Sequence, residues 1–125
     1  MQEIVVYTHH DCLLKDNGLN HPERKERLEV ILKSIKEIGD LDIKIRESSN
    51  ASLENMCLVH PKKYIERMFS LIPQSGLVGI EKEPYADTLL CFNSKNAILK
   101  SCGAGILAAD SIIKNDKKRI FCAVR

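Results

Sequence analysis

Residues 120–124 read Ile120-Phe121-Cys122-Ala123-Val124, an unbroken apolar row, and Arg125 follows as the last residue of the sequence. A run without polar alternation is the pattern of a strand buried on both faces, which occurs in parallel sheets under helical cover. Ligands of open α/β sheets bind beyond the carboxyl ends of their strands. The sequence therefore stops where a site would begin, and truncation fits this better than a natural terminus.

The elements upstream suit the same sheet. Ile4-Val5-Val6 reads as a first strand, and Asp16-Asn17-Gly18 marks 11–20 as a loop. Pro22 predicts a helix start, with Glu23 near the positive end of its dipole. Leu28, Ile31, Leu32, Ile35 and Ile38 recur at helical spacing on one face, and Gly39 reads as the helix stop. Ile43 and Ile45 alternate with charges, as in a half-exposed strand at a sheet edge. Ser52 is placed to cap a short helix to Val59. Ile65, Met68, Phe69 and Ile72 share a face of the next helix, which ends at Pro73. Residues 73–92, with Gly76, Gly79 and Pro84, form a long connection of the kind that serves as a rim or lid. A long helix is expected from Asn93 to about Asn115, with Ala97, Ser101, Ala104, Gly105, Ala108 and Ile112 inward. Its glycines, Gly103 and Gly105, imply close approach to a neighbouring backbone. The order predicts an α/β fold: the N-terminal part of a doubly wound parallel sheet, with 1–125 as one portion of a single domain.

Composition narrows the function classes. With 44% hydrophobic and 29% charged residues the 125-residue chain is in the globular range. The net charge of +2, no basic block beyond Lys117-Lys118-Arg119, and the lack of tryptophan argue against nucleic acid. Met1 to Tyr7 lacks a signal-peptide pattern, and no apolar stretch approaches a membrane span, so no membrane partner is expected. Five dispersed cysteines without a C-x-x-C pair read as reduced thiols of a cytoplasmic protein.

No complete catalytic or metal constellation is visible. His9 and His10 are adjacent, so in an extended segment they face apart, and His21 and His60 are isolated; surface or loop positions are the expectation. Gly103-Ala104-Gly105-Ile106-Leu107-Ala108 fits G-x-G-x-x-A, but a dinucleotide site needs those glycines directly after a strand. Here they interrupt a helical pattern. Neither a nucleophile elbow nor a phosphate loop is present.

The most distinctive string is His21-Pro22-Glu23-Arg24-Lys25-Glu26-Arg27. It resembles the His-Pro-Glu-Arg-x-x-Arg-Leu stretch of histone-deacetylase-like amidohydrolases, which include class II histone deacetylases, acetoin-utilisation proteins and acetylpolyamine amidohydrolases. Tyr7-Thr8-His9-His10-Asp11-Cys12 looks like that family's opening strand and first rim loop. Leu58-Val59-His60 with Tyr64-Ile65 resembles its helix pair. Asp87-Thr88, then Ala97 to Asp110, resembles the segment before its catalytic core. Phe121 to Arg125 looks like the strand that continues into Pro-Pro-Gly-His-His. The resemblance implies the arginase/deacetylase fold and zinc-dependent hydrolysis of an acetyl-amide, in an acetylated small molecule or an acetyl-lysine protein. The metal ligands and catalytic histidines it implies would all lie beyond Arg125, so this chain has no catalytic or metal residue and holds no cofactor, and a missing C-terminal portion becomes a candidate partner. Accessory positions carry over. Arg27 matches the arginine of the internal cavity that holds the acetate product, His21 and Pro22 match the rim, and Asp87 matches the loop aspartate that grips the substrate backbone. Lys15 stands where many relatives have histidine, and Lys25 where many have proline.

Three readings follow: the N-terminal piece of a deacetylase-like enzyme, inactive alone; a non-catalytic α/β binding module or split-gene remnant that presents the 73–92 connection; and a nucleotide-binding domain using Gly103 and Gly105.

Overall fold

The structure is a computed structural model that describes residues 3–82, 87–114 and 119–125. Pro84, Asn115, Lys117 and Lys118 lie outside the described residues. The elements in chain order are β1 (Ile4–Thr8), a 3-10 turn (His10–Leu13), α1 (Lys25–Glu37), β2 (Ile43–Glu47), α2 (Leu53–Cys57), α3 (Lys62–Ser70), β3 (Val78–Gly79), β4 (Leu89–Leu90), α4 (Ser94–Lys114) and β5 (Arg119–Cys122).

β1 is the middle strand of a parallel sheet ordered β2-β1-β5. Val6 pairs with Ile45 on one side and with Phe121 on the other. Successive side chains of β1 point to opposite faces, and each face has its own helix. Val6 packs with Leu28 of α1, supported by Ile31, Leu32 and Ile35. Val5 and Tyr7 pack on Ala104 of α4, with Leu107 and Ala108 beside it. α2 and α3 cover the far side of α4 through Met56, Ile65 and Phe69. The first crossover leaves β1 for β2 and the later one returns to its opposite flank as β5. The carboxyl end of β1 is thus a switch point of the sheet, the place where such folds form a crevice.

Several local expectations shift for identifiable reasons. The strand buried on both faces is β1, where Val5, Val6 and Tyr7 are 1–6% exposed. β5 is an edge strand among the described residues, and its Phe121 is 48% exposed. α1 starts at Lys25 rather than Pro22: the intervening Glu23 bonds locally through its N–H to His21 Nδ1, and Arg125 holds its carbonyl and carboxylate. It ends through an extended Ile38 (φ −72, ψ 110), not through a left-handed Gly39. The 73–92 connection contains the antiparallel β3–β4 pair. Ser52 does cap α2, its hydroxyl accepting the Asn55 N–H at 3.0 Å. Replacing Ser52 by alanine is expected to destabilise the protein by about 1 kcal/mol, measured by urea unfolding.

The glycines of α4 divide. The 48–51 backbone runs against Gly103, with Ala51 N–H bonded to the Leu99 carbonyl at 2.9 Å. Gly105 is exposed and has open space where a side chain would be, so it and half-exposed Ile112 leave the inward face. The apolar length of α4 also corrects the membrane expectation. Its 21 residues, with a mean hydropathy of 1.2 over an 18-residue window, match a span in length and composition. In the fold, Ala97 and Ala104 are fully buried and Ser111 bonds to the Tyr7 hydroxyl at 3.0 Å.

Candidate functional site

Beyond the carboxyl ends of β1 and β5 the rim loop, the start of α1 and Arg125 surround a cleft of about 630 Å³. Lys15, Arg24 and Lys25 contribute cations to its lining, against Asp16 and Glu26.

Arg125 organises this end of the sheet. Its side chain is 1% exposed, and each of the five N–H donors of a guanidinium has a partner. Nε donates to Glu23 Oε1 at 2.8 Å and Nη2 to Glu23 Oε2 at 3.0 Å, a bidentate fork. Nη2 also donates to the Glu23 carbonyl, and Nη1 donates to the carbonyls of Cys12 and Lys15. Its own carbonyl accepts the Ser101 hydroxyl at 2.6 Å. One side chain thus joins β5, the rim loop and the approach to α1. The hydrogen bond from Arg125 lowers the Glu23 pKa to about 2, with burial opposing and Lys15 adding attraction.

The residues singled out in the sequence fall on two sides of this anchor. Arg27 is half-exposed and pairs with Glu23 Oε1 at 3.5 Å, one turn apart on the helix approach. Glu23 gives that cation an ordinary local partner. Pro22 lies in the bend between His21 and Glu23, outside α1. His21 and Asp87 come together: His21 Nε2 lies 3.1 Å from the Asp87 carbonyl and 3.5 Å from its Oδ1. The rim loop and the hairpin also meet where the Asp16 N–H points at Cys91 Sγ, 3.3 Å away. Arg125 and its bond to Glu23 were missed in the sequence. An arginine closing an apolar strand was the available signal, but nothing local names its partner far upstream.

The other histidines have local roles. His9 Nδ1 accepts the Asp11 N–H at 3.1 Å, capping the 3-10 turn, and the His60 ring lies 5.3 Å from that of Tyr64. Among the described residues no group of three or more His, Cys, Asp or Glu side chains converges as metal ligands would. Among the described residues the buried side-chain polar atoms left without partners are Thr8 Oγ1, Ser48 Oγ and Asn17 Oδ1. Those are hydroxyl and amide oxygens, whereas zinc takes imidazole, thiolate and carboxylate. The described residues do not fit a zinc centre. Burial raises the pKa of Cys102 and Cys122, so neither is an activated nucleophile. Gly103 and Gly105 lie in the interior of α4, not at a strand-to-helix turn, which removes the basis for a nucleotide site.

The family model for the histone deacetylase domain matches residues 21–125. The chain belongs to the histone deacetylase family. It is 25% identical over 123 residues to a probable deacetylase of Archaeoglobus fulgidus, covering 96% of this chain and 33% of that protein. It is 31% identical over 108 residues to the chloroplastic histone deacetylase 10 of Oryza sativa subsp. japonica, covering 78% of this chain and 24% of the other. The crystal structure of the HDA15 HD domain superposes with a TM-score of 0.83 at 18% identity, over 99% of this chain and 35% of that one. The parallel sheet is therefore that of the arginase/deacetylase fold, and the chain spans about a third or less of each of these relatives. The expected fold class and family are both met.

Proposed function

We propose that this chain is the N-terminal portion of a zinc-dependent deacetylase-like domain and that it supplies scaffold and rim, not the reaction centre. The observation that carries the reading is the family match over 21–125 in a chain whose described residues gather no metal-ligand set. Full-length relatives point to an acetyl-amide as substrate, on a small molecule or on a lysine side chain. Five free thiols suit a reducing, cytoplasmic setting.

A complementing C-terminal portion is the favoured partner. β2 carries Lys44, Arg46 and Glu47 along its edge, which discourages further pairing. The β5 edge has Phe121 half-exposed, beside an apolar groove of about 390 Å³ lined by Val6, Ile31, Ile35 and Ile38. Dialysed against zinc-free buffer, the 125-residue chain is expected to retain far less than one zinc per molecule and to leave an acetyl-lysine peptide unhydrolysed. Metal analysis and a coupled acetate assay measure both. Stoichiometric zinc, or turnover above a heat-killed control, would refute the reading.

A further inference from the structure

His21 has a defined partner on each ring nitrogen. Nδ1 lies 3.0 Å from the Glu23 backbone nitrogen, whose N–H can only donate, so Nδ1 must be the acceptor. In a neutral imidazole the proton then sits on Nε2. Nε2 lies 3.1 Å from the Asp87 carbonyl, which can only accept. The roles match at both ends in one tautomer and clash at both ends in the other. The Asp87 carboxylate is 94% exposed, yet its Oδ1 also lies 3.5 Å from the same Nε2, a second acceptor for the proton that this tautomer places there. The Glu23 residue whose amide orients the ring is itself held by the Arg125 fork. A continuous line of polar contacts therefore runs from β5 through Glu23 and His21 to Asp87.

We propose that His21 is a tautomer-specific latch that holds the main chain at Asp87 to the rim loop. The latch goes beyond the reading of the chain as a deacetylase scaffold and is tested without catalysis, so its failure is distinguishable from failure of that reading.

Nitrogen-15 imidazole shifts of the intact chain at mildly alkaline pH are expected to show His21 protonated on Nε2. An Nδ1-protonated ring, or an even mixture, overturns the proposal. His21→Asn supplies a short acceptor for the Glu23 N–H but does not span to Asp87. In that variant the Ile80 amide, bonded to the neighbouring Thr88 carbonyl at 3.2 Å, is expected to exchange about fivefold faster, the effect of losing one net hydrogen bond. The Arg27 amide, bonded to the Arg24 carbonyl, should be unchanged. Asp87→Ala retains the backbone acceptor, so the Nε2 tautomer and Ile80 protection should persist. Unchanged Ile80 exchange in His21→Asn, or loss of the tautomer in Asp87→Ala, sinks the latch.

Discussion

Arg125→Ala is expected to lower stability by about 3 kcal/mol, because it leaves three carbonyls without their guanidinium donors and the Glu23 carboxylate with only Asn17, Lys15 and Arg27. For a chain of this size that shift moves the melting midpoint down by on the order of 10 °C. Arg125→Lys should recover little of it, since an ammonium cannot reproduce a five-donor planar fork. Arg27→Ala removes a half-exposed partner of the same carboxylate and should stay within about 0.5 kcal/mol of wild type. Differential scanning calorimetry on the three variants separates these outcomes. Equal losses for Arg125→Ala and Arg27→Ala would show that the buried fork is not the anchor of this end of the sheet.

The same pair sets an acid response with a definite sign. The Glu23 pKa falls from 4.5 to about 2 on folding, so its contribution is fully present above the unfolded value. It is lost as the pH falls from about 4.5 through about 2. Glu23→Gln should flatten stability against pH across that window and cost stability at neutral pH. A variant with an unchanged acid slope would place the titrating carboxylate elsewhere.

The second large effect contrasts two glycines of one helix. A Cβ at Gly103 would overlap the Ser49 carbonyl oxygen and meet Ala51 N at 3.0 Å. These are backbone atoms, pinned by the Ala51–Leu99 hydrogen bond, so they cannot rotate away as a side-chain end would. Gly103→Ala is expected to destabilise by about 3 kcal/mol, at the upper end of overpacking, or to prevent docking of the 48–51 segment altogether. Gly105→Ala meets open space and gains helix propensity, so it should stabilise by up to about 1 kcal/mol. Urea unfolding of both variants reads the two signs. A stabilised Gly103→Ala would mean that the 48–51 backbone does not lie against α4 as described.

Those glycines also mark how far a sequence can be read. Their presence in a helical pattern implied close backbone approach, and the structure assigns that role to Gly103 alone. Helical spacing identifies an element, but the spatial neighbour of each position depends on how the element is rotated in the fold. The start of α1 was misjudged for a similar reason. Pro22 and Glu23 have every local property of a first helical turn, yet the Glu23 N–H is taken by His21 and its carboxylate by Arg125. A local bond at the amide and a long-range one at the carboxylate together outweigh the helical preference there. At the rim, motif resemblance named His21, Pro22, Arg27 and Asp87; it left open that His21 and Asp87 would touch.

The apolar row at 120–124 implied a strand, and that followed from composition and periodicity alone, as did the order of helices and strands and hence the α/β class. Whether that strand is buried did not. β5 lies at the edge of the described sheet, with β1 covered on both faces instead, because burial depends on which neighbours pair, and pairing is a relation between distant segments. The Arg125–Glu23 bond is the same kind of fact. Its two residues are ordinary in their local contexts, and only the closing of the sheet brings them to 2.8 Å.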